Sequence, residues 1–258
     1  MACCRHYLAR CEAALPGDPA FSLARCENNA DMVTNGELRL LRELAPRLQT
    51  VFDVGANAGD WTAQLLPLLP ASARVHAFEP CQATCERFLG KGFPPRVRLH
   101  RLALSSAAGE AALHVFDASS TLNSLHNRRG LEGGWGIAPS AQDEAVALDT
   151  LDAFCARERI AGIDLLKLDT EGHEVDVLLG AKGALATGLV GRVQFEYGAT
   201  YIDARRLLKD VFELLGPFGY AIHLVAPGGL VACPRYDQRL ENFQQKAFVA
   251  FHPRCAPA

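Results

Sequence analysis

From Thr50 to Phe251 short apolar runs alternate with stretches in which apolar residues recur every three or four positions. TVFDVG reads as a strand followed by a helix from about Asp60, and RVHAFEP as a strand followed by the helix CQATCERFLG. RVRLHRLALS predicts a further strand, a turn at Ala108-Gly109 and a second strand, EAALHVF. Beyond a polar, Gly-rich interval (117–144) come the strand EAVAL and the helix TLDAFCARE. IDLLKLDTEG then leads into the helical EVDVLLGAKGAL, VGRVQFEYG into ARRLLKDVFELLG, and YAIHLVAPG and KAFVAFHP close the series as strands. Upstream, Leu38, Leu41, Leu44 and Leu48 fall at spacings of three and four and predict an amphipathic helix from Glu37 to Leu48. Alternating strands and helices need crossover connections, so the pattern predicts an α/β fold with a mostly parallel sheet and helices on both faces. No long linker or repeat interrupts it. The chain is expected to form one domain over 1–258, with an N-terminal helical segment (1–48) ahead of the core (49–258).

Composition narrows the partners. The 258 residues carry 26 Lys+Arg against 29 Asp+Glu, a net charge of −3, and no basic run that would favour nucleic acid or an acidic membrane surface. The nine cysteines are odd in number and scattered, as expected of reduced thiols used for packing in a cytoplasmic protein. Cys81 and Cys85 share a predicted helix, but no second pair nearby completes a four-ligand metal set, and no metal is expected. No run reaches the roughly 18 apolar residues of a membrane span. The opening MACCRHYLARCEAALPG lacks the apolar core of a secretory signal.

The candidate chemistry lies where predicted strands end. In open α/β sheets ligands sit beyond the carboxyl ends of the strands, and the first strand-to-helix turn supplies small residues for close backbone approach. VFDVGANAGDW has that place, with Asp53 ending the strand and Gly55 and Gly59 in the loop. A dinucleotide fingerprint would want glycine at the first, third and sixth loop positions, where this chain has Gly55, Asn57 and Asp60. A carboxylate at Asp60 opposes a phosphate at the helix start. A cofactor with a cationic centre and no phosphate fits better.

Glu79 ends the second strand, where a carboxylate accepts hydrogen bonds from ribose hydroxyls of either NAD or S-adenosylmethionine. Leu104 and Ser105 are placed to border an adenine, or simply to form a strand end and turn. LLKLDTEGHE crowds Asp169, Glu171, His173 and Glu174 at one strand tip, a costly arrangement unless it serves a ligand or the groups serve one another. Glu196 and Tyr197 repeat the habit on the next strand. The long interval, with Asn123-Ser124-Leu125-His126 and Gly133-Gly134-Trp135-Gly136, is either a surface excursion or a substrate wall that brings His126 and Trp135 to the acceptor.

The ordered set VFDVGANAGDW, HAFEP, ALSS, NSL, TLDAF, IDLLKLDTEGHE, LLGA and QFEYG resembles the FkbM-type methyltransferases, a family of class I S-adenosylmethionine-dependent enzymes. The likeness runs from about Asn35 to Tyr197, and more loosely to Phe251. It implies a Rossmann-like, seven-stranded, mostly parallel sheet with one antiparallel strand, and methyl transfer to a hydroxyl of a secondary metabolite or sugar. It also implies that Asp53, Gly55, Asn57 and Gly59 line the methionine portion of the cofactor and that Glu79, next to Pro80, holds the ribose. Leu104 and Ser105 would border the adenine and Ser124 the cofactor, while Asp169 faces the methionine end and Glu37 closes over it.

Methyl transfer is a displacement at a carbon already activated by sulfonium, so the protein's tasks are alignment and removal of the acceptor proton. His173 is the first choice of general base, because an ordinary imidazole titrates near about 6.5. Glu171 or Glu196 would hold its ring or replace it, and Tyr197 would line the acceptor. A divalent cation on the acids is a lesser alternative. Nitrogen or carboxylate acceptors stay open, as do a nicotinamide-dependent oxidoreductase and a non-catalytic cofactor-binding module. The expected partner is a small molecule.

Overall fold

The computed structural model describes residues 27–116, 122–128 and 142–255. Its main sheet is built from β1 (Thr50–Val54), β2 (Arg74–Phe78), β3 (Val97–His100), β7 (Leu165–Leu168), β8 (Arg192–Tyr197), β9 (Ala221–Ala226), β10 (Gly229–Cys233) and β11 (Lys246–Phe251), in the order β10-β9-β11-β8-β7-β1-β2-β3. Pairings among β1, β2, β3, β7 and β8 are parallel. β11 runs antiparallel to both β8 and β9, and β10 antiparallel to β9. The seven expected strands are therefore present with β11 reversed, and the sheet gains an eighth through the β9–β10 hairpin, whose sequence APGGLVAC carries its own turn signal.

The predicted strand run RVRLHRLALS divides. Val97–His100 stays in the main sheet, while Ala103–Leu104 forms β4 of a second sheet, β4-β6-β5, with β5 (Gly109–Val115) and β6 (Gln142–Asp149). β5 and β6 are paired in antiparallel register from Gly109↔Leu148 to Val115↔Gln142, and a bridge from His114 to Ser124 adds the 122–128 segment to the edge of β5. Trp135 and Gly133–Gly136 lie outside the described residues, as do Cys3, Cys4, Cys11 and Cys26.

Helices α1 (Glu37–Leu44), α2 (Asp60–Leu65) and α3 (Gln82–Gly90) follow the predicted order, as do α4 (Leu151–Glu158), α5 (Glu174–Leu179), α6 (Lys182–Ala186) and α8 (Leu208–Leu215). Two differences appear: EVDVLLGAKGAL breaks at Gly180-Ala181 into α5 and α6, and a short α7 (Thr200–Ala204) follows β8. Side chains alternate across a strand, which assigns each residue of β1 to a face. Val51 packs with Leu41, Leu48, Trp61 and Leu65 beneath α1 and α2. Phe52 and Val54 pack on the other face with α4, α5 and α8 through Phe154, Val175, Leu178 and Leu208. Asp53 necessarily shares the face of Val51, and that placement decides its role. Among the described residues no helix is long and apolar enough to cross a membrane.

Residues 27–29 are fastened to the segment entering β11. Lys246 Nζ meets Glu27 Oε1 at 3.2 Å with both side chains buried, Asn28 N donates to Gln245 O at 2.9 Å, and Gln245 N donates to Asn28 Oδ1 at 3.1 Å.

Candidate active site

A cavity opens at the carboxyl tips of β1, β2 and β7 and is roofed by the second sheet and the 122–128 segment. Its walls include Gly55 and Asn57 from the loop after β1, Glu79 and Pro80 after β2, and Leu104 and Leu113 from the small sheet. Ser124 comes from the 122–128 segment, and Asp169, Glu171 and His173 from the turn after β7. Nine of the expected site residues thus meet around one space. Gly55 has φ +79°, and a Cβ there would lie 1.8 Å from the Asp169 carbonyl oxygen, so this loop and the β7 tip pack backbone against backbone. Asp169 N donates to Val54 O at 3.0 Å across the same junction.

Glu79 accepts from Asn57 N at 3.0 Å through Oε2 and from Cys81 N at 2.9 Å through Oε1. Burial pushes its pKa up to about 7, more than those two N–H donors lower it. It retains lone pairs toward the cavity, since each carboxylate oxygen accepts more than one hydrogen bond. Asp60 opens α2, but its largely exposed carboxylate pairs with Lys91 Nζ at 2.7 Å, which removes much of the electrostatic objection to a phosphate. The missing glycines remain the stronger argument.

Asp53 departs from expectation. It is fully buried on the α1/α2 face, accepts from Thr62 Oγ1 at 2.6 Å, and has Lys167 Nζ 3.7 Å from its other oxygen, so it does not line the cavity. The cause is strand alternation: the register Asp53↔Lys167 sets the two side by side on one face. Replacing Thr62 by valine keeps the shape and leaves a carboxylate oxygen without its donor, and should cost about 1–3 kcal/mol in chemical denaturation.

Lys167 continues to Asp169 Oδ2 at 3.0 Å and lies over the Trp61 ring at 5.2 Å. Burial works against its charge, yet Asp169, Asp53 and Glu37 outweigh that and raise its pKa. Burial likewise opposes the charge of Asp169, but the Lys167 ammonium holds its pKa below the ordinary value.

A second, smaller cavity lies on the other side of Asp169 and is lined by Glu37, Lys167, Gln194, Glu196 and Gln245 among others. Glu37 accepts from Asn35 Nδ2 and Gln194 Nε2, each at 2.7 Å, and its pKa is raised by burial. Among the described residues Gln194 Oε1 is buried without a hydrogen-bond partner. Glu196 accepts from Gln245 Nε2, and burial beside Asp169 raises its pKa well above the usual range. Ligand oxygens of Asp169, Glu171 and Glu196 all lie within 4.8 Å of one another.

The turn after β7 sorts its own acids. Glu174 folds back to accept from Thr170 N at 2.6 Å and Gly172 N at 3.1 Å, which knits the turn. Glu171, at φ +54°, is left facing the cavity, and its Oε2 accepts from Arg128 Nη1 at 2.8 Å. Burial first, then repulsion from Asp169, pushes the Glu171 pKa up to about 8 against the pull of Arg128.

His173 does not have the character of a free base. Its Nε2 lies 2.9 Å from Ser105 Oγ and its Nδ1 3.1 Å from His126 Nε2, and burial lowers its pKa to about 4. Ser105 and His126 serve this ring and line neither cavity. Gly59 caps α2 behind the loop. Tyr197 is fully buried, donates to Glu241 Oε1 at 2.9 Å and accepts from Phe243 N at 2.9 Å, so it packs the interior and does not face an acceptor.

Sequence reasoning missed Lys167, Arg128 and Gln194. A charged residue inside the buried run LLKL is the signal that could have found Lys167. Arg128 and Gln194 carry none.

A Rossmann-like sheet ordered β3-β2-β1-β7-β8-β11-β9 with β11 reversed, a Gly-containing first loop and an acid ending the second strand define a protein of the class I methyltransferase type. The chain belongs to the FkbM methyltransferase family, whose domain model (Methyltransferase FkbM domain) matches residues 53–220. It is 28% identical over 175 residues to the hexuronic acid methyltransferase AglP of Haloferax volcanii, a match covering 67% of this chain and 66% of AglP. It is 27% identical over 199 residues to the 2-O-methyltransferase NoeI of Sinorhizobium fredii, covering 70% of this chain and 78% of NoeI. The match therefore spans just under two thirds of AglP. Among solved structures, one described as a putative rRNA-methylase from Clostridium thermocellum is 12% identical with a TM-score of 0.46, covering 85% of this chain and 96% of that one.

Proposed function

We propose that the chain transfers the methyl group of S-adenosylmethionine to a hydroxyl of a small-molecule metabolite, of the secondary-metabolite or sugar kind. The observation that carries this reading is one cavity lined both by a ribose-type carboxylate, Glu79, and by the ionisable acids Asp169 and Glu171. The residues fit the cofactor: Gly55 lets the loop close against the β7 tip beside the cavity, Phe78, Leu104 and Leu113 offer an apolar wall for a base, and Glu79 offers acceptors for ribose hydroxyls. When bound, the cofactor supplies a methyl carbon made electrophilic by sulfonium.

The chain's own residues then position and deprotonate the acceptor. Glu171 is the proposed general base, because it faces the cavity and its carboxylate titrates near the operating pH, where a base is both available and strong. Arg128 holds its Oε2 in place. His173, with both ring nitrogens engaged, positions the cavity wall. Lys167 keeps Asp169 ionised beside the reacting end.

Calorimetric titration with S-adenosylmethionine and, separately, NAD tests the donor, and binding of NAD alone would sink the proposal. Glu79→Gln should weaken S-adenosylmethionine binding by about 1.5–3 kcal/mol, the worth of hydrogen bonds to a charged group. Mass spectrometry of candidate hydroxylated metabolites incubated with enzyme and labelled methyl donor reads the transfer itself.

A further inference from the structure

We propose that His126, His173 and Asp176 form a site for one divalent transition-metal ion of the zinc type, which ties the 122–128 segment to α5. This site is separate from the acid cluster and does not depend on the methyl-transfer reading. His173 Nδ1 and His126 Nε2 face each other at 3.1 Å, and Asp176 Oδ2 lies 4.0 Å from the same Nδ1. All three donor atoms fall within 4.8 Å of one another.

Zinc at about 2.0–2.1 Å from each nitrogen in tetrahedral geometry sets two imidazole nitrogens about 3.3 Å apart. The observed separation is close to that, and the Asp176 carboxylate oxygen, 4.0 Å from His173 Nδ1, must move inward to join them. Two imidazoles and one carboxylate are a donor set for zinc and its transition-metal neighbours, whereas magnesium and calcium prefer oxygen alone.

The supporting contacts are those of a metal-bound imidazole. A ligating histidine donates its other ring N–H to a nearby acceptor, which fixes the tautomer. Here His173 Nε2 meets Ser105 Oγ at 2.9 Å, and donation to that hydroxyl leaves the Nδ1 lone pair directed at His126. In that tautomer, without metal, the proton between the rings belongs to His126 Nε2. An ion takes its place, and the proton moves to Nδ1 of His126. Arg206 holds Asp176 through Nη2–Oδ1 at 2.8 Å and Nε–Oδ2 at 3.3 Å, so it orients the carboxylate at the expense of some of its charge. Ser124 and Leu125 line the main cavity immediately before His126, and His173 lines it from the turn leading into α5, so an ion here would fix one wall of that cavity.

The test uses the full chain after chelator treatment, titrated with Zn²⁺ by calorimetry and with Co²⁺ by visible absorption. One equivalent should bind, and His126→Gln and Asp176→Asn should each weaken binding by about 10–100-fold, with folding checked by circular dichroism. Absence of binding, or unchanged affinity in both variants, overturns the proposal. So does loss of zinc binding in Glu196→Gln with the histidine variants unaffected, which would assign the ion to the acids. Should the histidine and aspartate variants fail to fold, X-ray absorption of zinc-loaded wild type decides. Two imidazole ligands support the site, and an all-oxygen shell overturns it.

Discussion

Glu171→Gln is expected to lower turnover by about 10²–10⁴-fold, the usual contribution of a positioned general base, while S-adenosylmethionine still binds. Glutamine preserves the volume and the contact with Arg128 but cannot accept the acceptor proton. The pH profile gives a sharper signature. Glu171 must be ionised to act, and burial beside Asp169 pushes its pKa up to about 8, so the wild-type rate should climb with pH through that value and level off above it. In the variant this limb should vanish. A glutamine variant with wild-type turnover would remove Glu171 from the chemistry.

Lys167→Met is expected to cost about 3–5 kcal/mol, as breaking a buried ion pair from one side does. The lysine is 6% exposed and stands between Asp53, which is fully buried, and Asp169. Methionine fills the volume but leaves Asp53 without a counter-charge. Urea denaturation measures the loss, and Lys167→Met combined with Asp53→Asn should recover part of it, since the stranded charge is then gone. If the single variant is as stable as wild type, Lys167 is not holding these carboxylates.

The elements were legible because their apolar periods are clean: LLRELAPRL repeats at helical spacing, and VFDV and VHAF are short apolar runs ended by turn residues. The cavity was legible because strand tips converge once the sheet is parallel, which brings Gly55, Glu79 and Asp169 together from distant parts of the chain. The orientation of single side chains was not. Asp53 looks like a crevice residue until the register with β7 turns it toward Thr62, and Tyr197 looks like an acceptor contact until Glu241 and Phe243 enclose it. The partners of His173 were hidden for a similar reason. The charge state of an imidazole depends on neighbours such as Ser105 and His126, which lie 68 and 47 positions away and announce no contact in the sequence. The split of RVRLHRLALS between two sheets escaped notice because both halves are equally apolar, and periodicity carries no information about which sheet a strand joins.

The backbone contact between Gly55 and Asp169 has a kinetic meaning. No side chain cushions the donor loop from the turn that carries Glu171, so a displacement of either is transmitted to the other. If Glu171 is the base and this loop seats the donor, as proposed, the enzyme should follow an ordered sequence in which the acceptor binds productively only after the donor is seated.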